Sequence, residues 1–382
     1  QNESSERVAP RLERRRKKVS RTGILEQAEK LMSDMSGSKA VLEIEFEDEV
    51  GTGLGPTLEF YTLVSLELRQ PERGLWRETS GASGGLFPKP LPHGAKGSNV
   101  NQLRSKFRFL GRLFGRSLMD QRLLDIPLAR PFYKWLLGRE GEMEVADLID
   151  IDPLLGQTFV KLLDLAKDAQ ANAAEVESLY LDFTLPGKEG IELMKGGKNI
   201  SVAASNLEQY LELVLHWTLV EGPRPLMESF REGFEEAIPL HSLTVFYPHE
   251  MDGLFCGNTR WEKWDTCMLM ESCRPDHGYT HDSRAIRWFF EILSSYEEEE
   301  QRTFLQFLTG TPRLPVGGFR SLNPPLRIVR KTVSTGECPD AFLPSVMTCV
   351  NYLKLPDYSS LEIMREKLRI AATDGSGTFH LS

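Results

Sequence analysis

Two Leu-Pro pairs, Leu343-Pro344 and Leu355-Pro356, enclose the stretch Ser345-Val346-Met347-Thr348-Cys349-Val350-Asn351-Tyr352-Leu353-Lys354. Proline lacks an amide hydrogen and pushes the residue before it out of the helical region, so no helix runs through either boundary. Val346, Val350 and Tyr352 favour extended backbone, and the stretch reads as a short strand or strand-edge turn carrying one cysteine. A thiolate is the strongest side-chain nucleophile near neutral pH, which makes Cys349 a candidate for thioester chemistry. The competing reading is a small buried hydrophobe, the usual state of an unpaired cysteine.

That stretch, with the Asp357-Tyr358-Ser359-Ser360 that follows, resembles the active-site signature of HECT-type ubiquitin-protein ligases. Two further stretches resemble signatures of the same family in the same order. One runs from Phe107-Arg108-Phe109-Leu110-Gly111-Arg112 to Arg122-Leu123-Leu124-Asp125-Ile126-Pro127, and the other is Phe304-Leu305-Gln306-Phe307-Leu308-Thr309-Gly310-Thr311-Pro312. The resemblance implies an α+β, bilobal HECT domain. Its N-terminal lobe, larger and mostly helical, would span 23–256, with a small subdomain at about 152–220. A hinge region, 257–272, opens on Gly257 and Asn258, and a smaller α/β C-terminal lobe, 273–382, carries Cys349. Residues 1–22 are expected to be a basic flexible lead-in.

At 382 residues the chain is long enough for two or three domains and a sizeable core. Its net charge of -9 argues against general nucleic-acid binding, which needs a basic surface. Arg11, Arg14, Arg15, Arg16, Lys17, Lys18 and Arg21 form a local exception, read as a nuclear-import signal, an anionic-surface patch or a solvated arm. Five cysteines without a CxxC pair, no signal peptide and no apolar run of spanning length point to a reducing compartment and no membrane partner. Cys267, Cys273, His277 and His281 mimic a zinc set, but Pro275 and Gly278 interrupt any helix that would align them, so no metal is expected. The chain opens at Gln1, as an excerpt of a larger protein would.

Taken in order, Leu25, Ala28, Leu31 and Met32 fall at helical spacing. Leu42, Ile44 and Phe46 alternate with Glu43, Glu45 and Glu47, predicting a half-buried strand with a wet acidic face. Gly51-Thr52-Gly53-Leu54-Gly55-Pro56 lacks the residues of a phosphate cradle and is read as structural. Residues 71–101 read as a long loop. Phe107, Leu110, Phe114 and Leu118 line one face of a helix at about 103–119, where Gly111 and Gly115 permit close packing. Helices are expected around 132–137, 159–165, 206–220, 283–296 and 359–372, and strands at 326–329 and 346–353. Ser359 and Glu362 have the spacing of a capping box for the last helix.

The resemblance also implies a mechanism. Ubiquitin would pass from a ubiquitin-conjugating enzyme to Cys349 as a thioester, then to a lysine of a protein substrate, with no cofactor. Thr348 is expected to orient the thiol, Asp357 to accept the lysine's proton and Phe379 to place the acceptor. The ending Thr378-Phe379-His380-Leu381-Ser382 fits the family's C-terminus. Where many members have a histidine two before the cysteine, this chain has Met347. Phe159, Leu163, Tyr210 and Val214, paired four apart on two helices, are expected to bind the conjugating enzyme. The wording around Cys349 resembles the branch linked to ubiquitin-fusion degradation, implying chain extension and proteasomal targeting in nucleus or cytoplasm. The rival readings are a catalytically silent module that binds ubiquitin or the conjugating enzyme, and a cysteine deubiquitinase with a histidine beside Cys349.

Overall fold

The structure, a computed structural model, describes residues 13–47, 54–78, 85–257, 262–333 and 336–375. They fall into two compact units. One gathers the described residues up to Val64, Met119–Leu123 and those beyond 260; the other holds Ser65–Leu118 and Leu124 to Gly257.

The first unit opens with β1 (Arg14–Val19), α1 (Ile24–Asp34) and β2 (Val41–Phe46), followed by α2 (Leu54–Arg69), inside which the unit ends. The flexible arm expected over 1–22 is in part a strand. β1 pairs parallel with β2, Arg14 opposite Val41 and Val19 opposite Phe46. Its cause is charge: Arg16 Nε donates to Glu43 Oε2 at 3.0 Å, and Arg21 clasps Glu59 through Nε (2.7 Å) and Nη2 (3.0 Å). Glu43 is therefore buried, not wet as the alternation suggests, and holds the Arg16 guanidinium above its ordinary pKa through a hydrogen bond and its charge. β2 is fixed further by Ile44 N donating to Thr57 Oγ1 (2.9 Å) and Leu42 N to Asp120 Oδ2 (3.3 Å).

The second unit is mostly helical: α3 (Ser98–Met119), α4 (Arg130–Leu136), α5 (Val145–Ile151), α6 (Pro153–Ala166), α7 (Ala173–Ser178), a hairpin of β3 (Thr184–Leu185) and β4 (Lys188–Glu192), α8 (Leu207–His216), α9 (Arg224–Glu235) and α10 (Pro248–Cys256). Phe114, Phe132, Phe230 and Phe255 form its aromatic centre, with ring centroids 4.8 Å apart for Phe132 and Phe230. The two glycines of α3 act as the spacing predicts. A Cβ at Gly111 would lie 2.0 Å from the Phe230 carbonyl oxygen, and one at Gly233 of α9 would lie 1.9 Å from that of Arg108. Asp152 caps α6 by accepting from Leu155 N at 3.1 Å. A π-helical segment, Trp217–Glu221, follows α8, and Trp135 Nε1 donates to Leu219 O there (2.8 Å).

The rest of the first unit comprises α11 (Thr266–Ser272), β5 (Arg274–Asp276), α12 (Arg284–Ser294), α13 (Glu298–Thr309), β6 (Arg327–Arg330), β7 (Ser345–Met347), β8 (Tyr352–Leu355) and α14 (Leu361–Gly375). The strands form one sheet in the order β5-β6-β8-β7, parallel except for β7 at the edge. Phe289, Phe304, Leu308, Leu353, Leu355 and Leu368 meet in its core. Trp264 and Leu269, within the segment expected to be hinge, are buried in the same core. The acidic run before α13 does specific work: Glu297 and Glu300 form a reciprocal capping box. At α14 the cap is Ser360, whose Oγ accepts from Ile363 N (3.3 Å), because Ser359 is engaged by Asp340.

Candidate active site

The stretch between the two Leu-Pro pairs is a β-hairpin rather than one strand. β7 and β8 pair antiparallel, Met347 opposite Tyr352 and Ser345 opposite Lys354, and residues 348–351 make the turn. Its first three residues, Thr348–Val350, form a single 3₁₀ turn with the Cys349 backbone in the middle. Asn351 closes it in the left-handed region, at φ 48° and ψ 54°. Asparagine tolerates that conformation, and this one is also pinned. Its Nδ2 donates to Pro324 O at 2.7 Å, and its own carbonyl accepts from Arg327 N at 2.9 Å, the first rung of the parallel β6–β8 pairing. Leu353 and Leu355 anchor β8 in the core. The cysteine's backbone is thus held at the end of a sheet anchored in the core through β6 and β8, with Met347 and Val350 beside it 44% and 40% exposed. Thr348, the first residue of the turn, is buried.

Asp357 lies beyond the other end of β8. A four-residue strand rises roughly 13 Å, so the structure does not bring this carboxylate to the cysteine's turn. It is engaged where it stands: Arg330 Nη2 donates to Asp357 Oδ2 at 2.6 Å, and Arg284 lies 3.9 Å from Oδ1. His277 sits at that end too, its carbonyl accepting from Arg330 N (3.2 Å), and with Asp357, Arg330 and Lys331 it lines a cavity of ≈ 320 Å³. Burial, with Lys354 adding to it, lowers the Lys331 ammonium below its ordinary pKa. Tyr358 fixes the chain after Asp357 through its hydroxyl, which donates to Phe342 O at 2.8 Å.

The four residues expected to meet a conjugating enzyme divide. Phe159, Tyr210 and Val214 are buried in the layer of α6, α8 and the β3–β4 hairpin, with the Tyr210 ring edge-on to Phe183 at 5.6 Å. Burial pushes the Tyr210 hydroxyl up to about 12. Leu163 is half-buried, and Val160, one turn before it on α6, is 39% exposed. Gly257 follows α10 at φ 75° and ψ -153°, a conformation that side-chain-bearing residues rarely adopt. Asn258 and Phe379 lie outside the described residues. Sequence reading missed the anchoring roles of Arg330 and Asp340; the signal available was only their polar character near the signature.

Among the described residues no helix is long and apolar enough to cross a membrane, and no group of three or more His, Cys, Asp or Glu side chains could hold a metal. Cys273 is buried and its thiol is pushed up to about 12 by that burial.

Comparison with known proteins adds to this geometry. The chain is 53% identical to the E3 ubiquitin-protein ligase TRIP12 of Danio rerio, over 98% of its own length and 20% of the relative's. It is 40% identical to the E3 ubiquitin-protein ligase UPL3 of Arabidopsis thaliana, over 100% and 23%, and 38% identical to ubiquitin fusion degradation protein 4 of Saccharomyces cerevisiae, over 97% and 26%. It thus spans about a fifth to a quarter of the length of these relatives. The HECT-domain (ubiquitin-transferase) family model matches residues 62–382, and the chain belongs to that family.

Proposed function

We propose that this chain is the catalytic portion of a ubiquitin-protein ligase, loading ubiquitin on Cys349 and passing it to lysines of protein substrates. The observation that carries the reading is the pinned hairpin turn, which fixes the signature cysteine's backbone at the edge of a sheet between two exposed apolar residues. In the first step the Cys349 thiolate attacks the carbonyl carbon of ubiquitin's C-terminal glycine. A new C–S bond forms, the bond to the conjugating enzyme's sulfur breaks, and that enzyme leaves as thiolate. The exchange is nearly isoenergetic, so it needs a thiolate near ambient pH and no strong base. In the second step a neutral lysine amine attacks the same carbon. The isopeptide bond forms, the Cys349 thiolate departs and the amine's proton passes to a base or to water.

The conjugating enzyme would dock on the outer face of α6, where Val160 and Leu163, three apart, share one side. Phe159, Tyr210 and Val214 would support that face from behind. One thiol must meet first the donor and then the acceptor, which requires movement of the region that carries it. Gly257 is the proposed swivel, ahead of the core residues Trp264 and Leu269. Two relatives carry the words ubiquitin fusion degradation in their names, which supports chain extension for proteasomal degradation as the finer reading. The test is a single-turnover reaction: conjugating enzyme charged with ubiquitin, mixed with this chain and resolved on a non-reducing gel beside Cys349→Ala and Cys338→Ala. A thiol-sensitive adduct lost only in Cys349→Ala is expected. No adduct while binding persists would favour the silent module, and net release of free ubiquitin from chains would favour a deubiquitinase.

A further inference from the structure

The second unit contains a cleft with a chemistry that ubiquitin transfer does not use. Two adjoining cavities, of ≈ 400 and ≈ 510 Å³, share Arg77, Glu78 and Lys188. The first is completed by Arg69 and Lys89 over an apolar floor of Trp76 and Leu86; the second by Asp152 and by Leu154, Leu155 and Thr158 at the start of α6. Four cationic side chains thus face the cleft in a chain whose net charge is -9. Two of them are fixed from behind. Arg69 Nη1 donates to Asp125 Oδ2 at 2.5 Å, and Arg77 Nη2 to Asp152 Oδ2 at 3.0 Å. The Arg77 side chain is only 9% exposed, yet its Nε has no acceptor among the described residues. Lys89 and Lys188 have no anionic partner among the described residues, and the cleft's own carboxylates are Glu78 and the Asp152 already engaged by Arg77. A guanidinium held rigid by one carboxylate, with two uncommitted ammonium groups beside it, is suited to bind a further anionic oxygen group.

We propose that this cleft binds an acidic segment of a partner protein in extended conformation. One acidic side chain would lie between Arg77, Lys89 and Lys188, and an apolar side chain two residues away would rest against Trp76 and Leu86 or against the exposed Leu154. Two cavities divided by a shared wall suit residues i and i+2 of an extended chain, whose side chains point the same way roughly 7 Å apart. The carboxylates behind Arg69 and Arg77 disfavour a deeply inserted polyanion and select for one or two charges at the rim.

The experiment is fluorescence anisotropy with a dye-labelled decapeptide of repeating Glu-Ser-Leu-Ser, which puts Glu and Leu two residues apart on one face, titrated with the whole chain, against a peptide with Gln in place of every Glu. Binding that weakens with added salt is expected, absent for the Gln peptide and reduced roughly tenfold or more in Lys89→Glu/Lys188→Glu, since each charge-assisted contact is worth that order. Both lysines are at least partly exposed, so this variant should melt as the parent does; Arg77→Gln, at a buried site, is read only alongside its melting curve. Equal binding of the two peptides, or equal binding by the parent and the lysine variant, would overturn the proposal. So would displacement by adenosine monophosphate at lower concentration than by the Glu peptide, which would assign the cleft to a nucleotide instead. Cysteine loading by the lysine variant is measured in parallel and should be unchanged, which separates this site from the ligase reading.

Discussion

Asn351 is the residue on which the geometry of the Cys349 turn depends, and its replacement has a magnitude that can be worked out. Asn351→Ala removes the amide that donates to Pro324 O and leaves that carbonyl without its 2.7 Å donor, a loss of about 1–3 kcal/mol. It also forces an alanine into the left-handed region at φ 48°, adding about 1 kcal/mol or more. Asn351→Gly removes the same hydrogen bond but adopts the conformation freely, so it should cost about 1 kcal/mol less than alanine. The loss is local, so the assay is hydrogen exchange at Arg327 N–H, which donates to Asn351 O, and at Leu353 in β8. Exchange at Arg327 should accelerate about tenfold for each 1.4 kcal/mol lost, in the order parent, glycine, alanine. Loading of Cys349 should fall in the same order. If glycine and alanine are indistinguishable, or if Arg327 exchange is unchanged in both, the turn is not held as argued.

Other outcomes follow from the same structure. Gly111→Ala drives a methyl into the Phe230 carbonyl and should lower the unfolding free energy by about 1–3 kcal/mol or more, read as a shift in the urea midpoint. Asp340, hydrogen-bonded by Ser359 Oγ and N, has its pKa held below the ordinary value of 3.8. Its contribution is therefore fully present above that value and lost as pH falls through the lower folded-state pKa, so the melting difference between the parent and Asp340→Asn should shrink below about pH 4. Asp357→Asn, which breaks an exposed pair with Arg330, should cost less than about 1 kcal/mol and leave loading of Cys349 intact. Survival of loading with a tenfold loss of discharge to lysine would instead establish Asp357 as the proton acceptor. Thr62→Val removes the 2.9 Å hydrogen bond from Thr62 Oγ1 to Gly310 O, and a loss of about 1 kcal/mol at that contact should appear as faster exchange near Gly310.

Much of this could be read from local pattern, and what could not depended on partners distant in sequence. The 3.6-residue spacing of Leu25, Ala28, Leu31 and Met32 sufficed for α1, and Gly111 and Gly115 announced a close helix crossing. Alternation located β2 but mistook its acidic face for a wet one, because nothing near Glu43 reveals that Arg16 lies across a parallel ladder. The same arginines look like a solvated arm until their carboxylates are known. Helical spacing put Phe159 with Leu163 and Tyr210 with Val214, yet an apolar stripe does not say whether it faces a core or a partner. Three of those four residues face the core. The hairpin was half legible: β-branched residues signalled extended backbone, whereas the break at residues 348–351 depends on Asn351 reaching Pro324. Asp357, eight residues after Cys349, looked adjacent in sequence, but β8 separates them in space.

The most direct test of the central claim uses Cys349→Ser with ubiquitin-charged conjugating enzyme, followed by intact-protein mass measurement and peptide mapping. A hydroxyl in place of the thiol should trap ubiquitin as an oxygen ester at residue 349 that resists reducing agent and is cleaved by mild alkali, while the parent's adduct at the same residue is released by thiol. An adduct mapped to Cys267 or Cys338, or none at residue 349 in either protein while the conjugating enzyme still binds, would contradict the account.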